Sequence, residues 1–192
     1  MSKEILNLEP KNVWKHFYGF TQIPRPTGQM EEVTKFVIDF GKSLGLETVQ
    51  DKTGNVVIRK PASKGMENAP MVILQSHLDM VPQKNADVKH DFSKDPIDAV
   101  IDGDKVRAKS TTLGADNAIG AAAMMAVLED NSLVHGPIEA LFTVDEEVGM
   151  VGAFGLEKGF LKGSIVLNLD TEEIGELCVG CAGGADINIT FK

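Results

Sequence analysis

Cysteine is scarce in this chain, and the few cysteines present form no recognisable metal or redox motif. Cys178 and Cys181 are the two cysteines among 192 residues, and they form a single CxxC. One such pair supplies half of the ligands of a structural zinc knuckle, and as a redox motif it lacks a thioredoxin-like βαβ context. We interpret both residues as structural thiols of a cytoplasmic protein.

Long apolar runs and an excess of basic residues are also missing. No apolar run approaches the roughly 20 residues of a membrane span. The first residues, MSKEILNLEP, carry acids where a signal peptide has an apolar core. The 19 basic and 28 acidic residues give a net charge of −9, whereas a phosphate-binding surface is basic. We therefore predict neither a membrane nor a nucleic acid as a partner.

The apolar residues that are present are sufficient for one folded domain. Hydrophobic residues make up 43% of the 192 positions. Their periodicity predicts four helices, at residues 10–20, 29–44, 118–128 and 152–160. It predicts six strands, at residues 46–50, 55–60, 71–75, 138–144, 165–169 and 185–191, and a hairpin that turns at residues 101–104. The third, fourth and fifth strands are mostly apolar and are predicted to be buried. This pattern predicts an α/β fold with a mixed central β-sheet flanked by helices.

A histidine and an aspartate follow the third predicted strand within the segment QSHLDMVP. His77 and Asp79 are two residues apart, so in extended backbone their side chains point to the same side. The carboxyl ends of strands are where an open α/β sheet meets its ligands. Such a pair can bind one metal together, or the aspartate can fix the orientation of the imidazole. The alternative is a structural polar pair whose side chains only satisfy hydrogen bonds at the end of the strand.

Carboxylates occupy comparable positions at three further elements. Asp116 precedes the alanine-rich helix, and the next two apolar strands end in the pair Glu146 and Glu147 and in Asp170. Taken singly, Asp116 fits a helix N-cap, and adjacent glutamates fit a solvated surface. Because strand ends converge on one edge of an open α/β sheet, we expect these carboxylates to meet His77.

One imidazole with several carboxylates is a ligand set for divalent transition metals. It suits zinc, with manganese and cobalt as alternatives. A carboxylate such as Asp116 can bridge two ions about 3.5–4 Å apart, which is the separation in two-metal hydrolases. One glutamate beside the metals would stay free to carry a proton from water to the leaving group. The adjacent Glu146 and Glu147 could supply one ligand and one such base.

The chain contains four motifs, in order, that resemble the metal-binding motifs of the M20 zinc metallopeptidases: HLDMVP, TTLGADN, DEEVGM and NLD. Further segments extend the resemblance over nearly the whole chain, and they are most similar to family members that cleave Xaa-His dipeptides: HLDMVPQKN, HDFSKDPI, VHGPIEALFT and GCAGG. The resemblance implies hydrolysis of small dipeptides, preferentially Xaa-His, by a cytoplasmic homodimer. The alternatives are a tripeptidase, a carboxypeptidase, an N-acyl-amino-acid deacylase, or an M20-like module that binds metal or peptide without hydrolysis.

The resemblance also implies which residues hold two divalent metal ions, zinc first and manganese or cobalt otherwise. His77 would bind one ion, and Asp170 would complete its ligand shell. Glu147 would bind the other ion. Asp116 would bridge both ions, and its peptide bond to Asn117 would be cis.

Two further residues would take part in catalysis if the resemblance holds. Asp79 would orient the imidazole of His77, and Glu146 would act first as general base and then as acid. The family pattern also includes an inserted lid domain and a distal histidine ligand, in a chain more than twice this length; neither lies in these 192 residues. We therefore expect residues 1–186 to be the N-terminal part of a catalytic domain and residues 187–192 to be the start of the lid.

Overall fold

The computed structural model describes residues 3–171, 173, 175–180, 183 and 187–191. Its helices are α1 (Lys11–Thr21), α2 (Glu31–Ser43), α3 (Ala115–Glu129) and α4 (Val151–Phe154), and a 3₁₀ turn at Glu4–Asn7 precedes them. Its strands are β1 (Glu47–Gln50), β2 (Val56–Lys60), β3 (Val72–His77), β4 (Ala99–Asp102), β5 (Lys105–Ala108), β6 (Ile138–Thr143) and β7 (Ile165–Asn168).

Five of these strands form one mixed sheet in the order β1-β2-β6-β3-β7, while β4 and β5 form a separate hairpin. β2 is antiparallel to both β1 and β6, whereas β3 is parallel to β6 and β7. His77 pairs with Thr143, and Gln75 pairs with Asn168, so the carboxyl ends of β3, β6 and β7 lie along one edge. This arrangement confirms the predicted α/β fold with a mixed central sheet.

The helices α1, α2 and α3 cover one face of this sheet. α3 carries a run of buried small residues, including Ala118, Ala121 and Ala122, which let its backbone approach β3 closely. α1 packs on α3, and α2 packs on β1 and β2. A smaller cluster covers the other face; it consists of Val57, Ile73 and Leu141 with Leu156, Phe160 and Leu161. No helix in the described part of the chain has the length and apolarity to cross a membrane.

Two predictions for residues 152–169 are wrong. The strand at residues 165–169 was expected to be buried, but β7 is exposed along its whole length, with Val166 57% exposed. β7 is an edge strand, and an apolar run cannot tell whether another element covers it. The helix expected at residues 152–160 is only the four residues of α4. Glycines follow it at Gly155 and Gly159, and Gly159 adopts a left-handed φ of 84° that does not continue a helix.

The predicted strand at residues 185–191 is also not formed in its described part, since residues 187–191 have no strand pairing. An isolated strand has no partner for its backbone hydrogen bonds, and the alternating pattern alone does not supply one. Residues 185 and 186 lie outside the described residues. Cys178 is an exposed free thiol and Cys181 lies outside the described residues, so the structural role expected of the pair stays a prediction.

Candidate metal centre

His77 ends β3 with its imidazole buried between two sets of oxygen atoms. Its Nδ1 lies 3.1 Å from the backbone oxygen of Asp79 and 3.3 Å from Oδ1 of the same residue. Its Nε2 lies 2.9 Å from Oδ1 of Asp116 and 3.8 Å from Oδ2 of Asp170. With a proton on Nδ1, the ring donates to Asp79, and Nε2 faces the other carboxylates.

Asp116 reaches His77 from the first turn of α3. The turn begins at Gly114, whose φ of 69° is left-handed, and Asp116 and Asn117 depart from helical dihedral angles. The peptide bond between these two residues is cis, as expected. The hydroxyl of Ser76, in β3, donates to the backbone oxygen of Asn117 at 2.8 Å. This bond ties the turn that carries Asp116 to the strand that carries His77.

The two glutamates follow β6 in a turn that is held by Asp79. The backbone N–H of Glu146 donates to Oδ1 of Asp79 at 3.0 Å, and that of Glu147 donates to Oδ2 at 3.2 Å. The preceding residue, Asp145, has a left-handed φ of 49°, which turns the chain so that both amides point inward. Asp79 is fully buried. Its carboxylate therefore contacts the imidazole on one side and fixes the glutamate turn on the other.

Two groups of side chains at this edge have the geometry to hold a metal ion. One consists of His77, Asp116 and Asp170, and the other of His77, Glu146 and Glu147. Within each group the candidate ligand atoms lie within 4.8 Å of one another. All four predicted metal ligands therefore come together, with Glu146 beside them. Asp79 lies behind His77, at the position expected of an orienting residue.

Hydrogen bonding decides the charge states at the back of the site. Burial raises the pKa of Asp79, but hydrogen bonds from His77, from the Glu146 amide and from the Thr27 hydroxyl outweigh it and lower this pKa to about 2. Burial lowers the pKa of His77, but the hydrogen bond to Asp79 and the charge of Asp170 outweigh burial and raise it to about 9. Asp79 is therefore an ionised partner for the imidazole at any pH near neutrality.

Negative charge is crowded at the front of the site. Burial and the charge of Asp116 raise the pKa of Asp170 to about 6, against the opposing effect of His77. Burial, and then Asp116, raises the pKa of Glu147 as well. A divalent cation would relieve this repulsion and would compete with the proton on Nε2 of His77. The imidazole and carboxylate donors thus fit one or two divalent metal ions.

Sequence reasoning missed two residues behind the site, Arg25 and Thr27. Arg25 is 2% exposed, and it donates to the backbone oxygens of Leu78 at 2.9 Å, Asp79 at 3.2 Å and Gly114. Burial lowers the pKa of Arg25 to about 10, against the opposing charge of Asp79, so the guanidinium is charged at neutral pH. The signal in the sequence is a charged residue between two prolines in IPRPTG, a segment whose prolines and glycine indicate only that a helix cannot continue there.

Comparison with known proteins gives three consistent matches. The sequence model of peptidase family M20/M25/M40 matches residues 73–186. The cytosol non-specific dipeptidase of Escherichia coli (strain K12) is 50% identical over 183 residues, which are 95% of this chain and 38% of that protein. The crystal structure of aminoacylhistidine dipeptidase from Vibrio alginolyticus is 51% identical, with a TM-score of 0.88, over 90% of this chain and 35% of that one.

A more distant structure has the same fold. Aminopeptidase PepT from Bacillus cereus is 26% identical, with a TM-score of 0.72, over 85% of this chain and 44% of that one. This chain thus spans less than half of the length of each of these three relatives.

Proposed function

Because this chain belongs to peptidase family M20/M25/M40, we propose that its protein is a dipeptidase that depends on two divalent metal ions. The observation that carries the proposal is the meeting of His77 with four carboxylates at the carboxyl edge of the parallel strands. The 50% identity to the E. coli dipeptidase supports the same reaction class. Zinc is the proposed metal, with manganese or cobalt as alternatives, because one imidazole accompanies several carboxylates.

The proposed ligands divide between two ions. His77 and Asp170 would hold one ion, Glu147 would hold the other, and the carboxylate of Asp116 would contribute to both sites. Divalent ions at this edge would supply Lewis-acid chemistry, which lowers the pKa of water and polarises the scissile carbonyl. Asp79 accepts a hydrogen bond from the proton on Nδ1 of His77, so that the lone pair of Nε2 faces the candidate metal site.

Glu146 is the proposed proton carrier. Its carboxylate accepts a proton from the attacking water while the water oxygen bonds to the carbonyl carbon of the peptide. The same carboxylic acid then gives that proton to the amide nitrogen as the C–N bond breaks, which releases a free amine and restores the carboxylate. The backbone N–H of Glu146 donates a hydrogen bond to Oδ1 of Asp79 at 3.0 Å, and this bond fixes the turn that carries the side chain.

A cavity of about 140 Å³ lies beside the proposed base. Its lining includes Gln75, Thr143, Glu146, Met150, Asn168 and Asp170. A space of this size accepts one small group, such as a single side chain of a peptide substrate. We propose Xaa-His dipeptides as the preferred class, consistent with the similarity to aminoacylhistidine dipeptidase.

The remaining proposals concern the whole protein. A cytoplasmic location agrees with the name of the E. coli relative, and we propose a homodimer with no nucleic-acid or membrane partner. Residues 1–186 would be the N-terminal part of the catalytic domain, and residues 187–192 would begin the lid. The second candidate is an aminopeptidase that acts on longer peptides, such as a tripeptidase, because the fold also matches aminopeptidase PepT with a TM-score of 0.72.

The test uses the full-length protein and the substitution Glu146→Gln. Glutamine cannot accept the proton, so turnover of an Xaa-His dipeptide should fall at least about 100-fold, while metal analysis still finds two ions per chain. Glu157→Gln is the matched control, because Glu157 pairs with Lys52 on the surface and should leave turnover unchanged.

Three results would contradict the proposal. Retained activity in Glu146→Gln would remove the base role. Faster cleavage of tripeptides or N-acyl amino acids than of dipeptides would assign one of the alternative activities. One weakly held ion without cleavage would indicate a non-catalytic module.

A further inference from the structure

The segment PRPTG, residues 24–28, touches all the segments that lead to the candidate ligands on β3, α3 and β6. We call it the PRPTG loop. Arg25 donates hydrogen bonds to the backbone oxygen of Leu78, which follows β3, and to the backbone oxygen of Gly114, which precedes α3. The Thr27 hydroxyl donates to Oδ2 of Asp79 at 2.9 Å, and the backbone N–H of Gly28 donates to Oδ1 of Asp145 at 2.7 Å.

Among the described residues, the hydrogen-bond partners of Arg25 are carbonyl oxygens rather than carboxylates. One end of the guanidinium, Nη1, donates to the carbonyls of Leu78 and Asp79, and the other end, Nη2, donates to the carbonyl of Gly114. The guanidinium is planar and rigid, so the directions of its N–H groups are fixed relative to one another. One side chain therefore sets the separation between residues 78–79 and residue 114.

These carbonyls lie next to the residues that would bind metal. Leu78 follows His77 directly, and Gly114 precedes Asp116 by two residues. An added Cβ at Gly114 would meet Nη2 of Arg25 and would lie 2.8 Å from the sulfur of Met80, and the left-handed φ of this residue also favours glycine. The spacing that Arg25 imposes is thus transmitted to the pair His77 and Asp116, whose Nε2 and Oδ1 atoms lie 2.9 Å apart.

Thr27 and Gly28 extend the same connection to the glutamate turn. The carboxylate that Thr27 contacts, on Asp79, also accepts the amides of Glu146 and Glu147. Gly28 contacts Asp145, the residue that begins this turn. The backbone N–H of Thr27 donates to the oxygen of Met80 at 3.3 Å, which holds the loop against the chain after β3.

We propose that the PRPTG loop sets the metal affinity of the site, with Arg25 and Thr27 as positioning residues that act through backbone carbonyls and through Asp79. The inference rests on the proposed two-metal function. A buried guanidinium that hydrogen-bonds to no carboxylate in the described part of the chain is a costly way to fill space, because an apolar side chain of similar volume is often at least as stabilising there. Its place is explained by the three carbonyls that it joins across the two candidate ligand segments.

The test measures binding of Zn²⁺ alone to the full-length protein after chelation, by competition with a chromophoric chelator. Partners outside the ligand shell typically change metal affinity about 10–100-fold when they are removed. Arg25→Met should weaken binding within this range. Arg25→Lys should also weaken it, because one ammonium cannot reach both carbonyl sets with fixed geometry. Thr27→Val should weaken it too, whereas Thr27→Ser keeps the hydroxyl and should bind as the wild type does.

Lys60→Met is the matched control for burial of a cation. Lys60 is 7% exposed and donates to the backbone oxygens of Val127 at 2.9 Å and Asp130 at 2.6 Å, far from the site along α3. This variant should lower the melting temperature without changing Zn²⁺ affinity. The Arg25 variants should change affinity by more than their loss of thermal stability accounts for.

Several outcomes would overturn the inference. If Arg25→Lys binds Zn²⁺ as tightly as the wild type does, only the charge of residue 25 matters. If every variant keeps wild-type affinity but has a lower melting temperature, the PRPTG loop has a purely structural role. If the Arg25 variants do not fold, equal affinity in Thr27→Val and Thr27→Ser overturns it. Dipeptide cleavage by the wild type is assayed in parallel. If the wild type does not cleave dipeptides but the variants bind Zn²⁺ more weakly than it does, only the proposed function is contradicted. If the wild type cleaves dipeptides and the variants bind Zn²⁺ as tightly as it does, only this inference is contradicted.

Discussion

Glu139 is a buried carboxylate whose interactions lie outside the candidate metal centre. It belongs to β6 and is fully buried. Its Oε1 accepts from Nε of Arg59 at 2.8 Å, and its Oε2 accepts from the backbone N–H groups of Lys162 and Gly163, both at 2.8 Å. Burial raises the pKa of Glu139, but these donors outweigh burial and lower it below its usual value of 4.5. The ionised form therefore holds the chain that enters β7.

The substitution Glu139→Gln should destabilise the fold by about 2 kcal/mol at neutral pH, since a charged acceptor is lost and the amide has only one oxygen for two sets of donors. A depressed carboxyl pKa contributes stability above the unfolded pKa and loses it as pH falls through the folded value. Wild-type stability should therefore fall more steeply below about pH 4.5 than that of the variant. Urea unfolding at a series of pH values measures both effects.

Glu157→Gln is the control for this measurement, because its pair with Lys52 is exposed to solvent and exposed pairs contribute little. Parallel stability curves for wild type and Glu139→Gln across the acid range would contradict the role given to the buried carboxylate.

At the scale of the elements, α3 and the end of β7 are in close contact at Gly120. A Cβ at this position would lie 3.0 Å from both the Cβ and the backbone oxygen of Leu169, and it would also meet the side chain of Asn117. Leu169 immediately precedes Asp170, and Gly120 is one helical turn beyond Asp116. The absence of a side chain on Gly120 is thus what allows these two carboxylates to approach each other.

Gly120→Ala tests this contact. Alanine favours a helix by about 1 kcal/mol over glycine, but the clash includes backbone that no rotamer change can move. We expect a net loss of about 1–2 kcal/mol in unfolding free energy, because overpacking outweighs helix propensity. Zn²⁺ binding should weaken together with this loss of stability, because α3 moves away from residue 170. Chemical unfolding and metal titration are the two measurements.

Gly19→Ala in α1 is the matched control for a glycine within a helix. Its added Cβ would meet only the end of the Phe36 ring, at 3.1 Å, and that ring can shift. It should stabilise the fold by up to about 1 kcal/mol, because the helix propensity of alanine is not opposed by a fixed clash. If Gly120→Ala and Gly19→Ala change the unfolding free energy by the same amount, α3 can move away from Leu169 without a loss of stability, and the predicted clash is contradicted.

The sequence predicted the elements well where periodicity determines them. The helices at Lys11–Thr21 and Glu31–Ser43 and the strand at Val72–His77 agree with prediction to within about two residues. The predicted site residues come together because each follows or precedes such an element. What periodicity does not encode is contact between distant segments. The bonds from Arg25 to Gly114, and from Glu146 to Asp79, depend on loop conformations such as the left-handed φ of Asp145.

At the scale of the whole molecule, one side of the sheet exposes apolar residues. β7 is an exposed edge strand, and α4 lies beside it, since Met150, Ala153 and Asn168 line one cavity. Phe154 is 80% exposed and Val166 is 57% exposed. Soluble monomers rarely expose a contiguous apolar patch of more than a few hundred Å², and an uncovered edge strand also presents unpaired backbone groups.

We therefore expect the 192-residue chain, studied by itself, to self-associate through α4 and β7. The double substitution Phe154→Ser and Val166→Thr removes apolar area while threonine keeps the preference for strand, so it should shift the population towards monomer. Sedimentation velocity over a concentration series measures this shift. Val134→Ser is the control, since Val134 is 78% exposed but lies in the loop before β6. If this control reduces association as much as the double variant, the general apolarity of the surface is responsible rather than the α4 and β7 face.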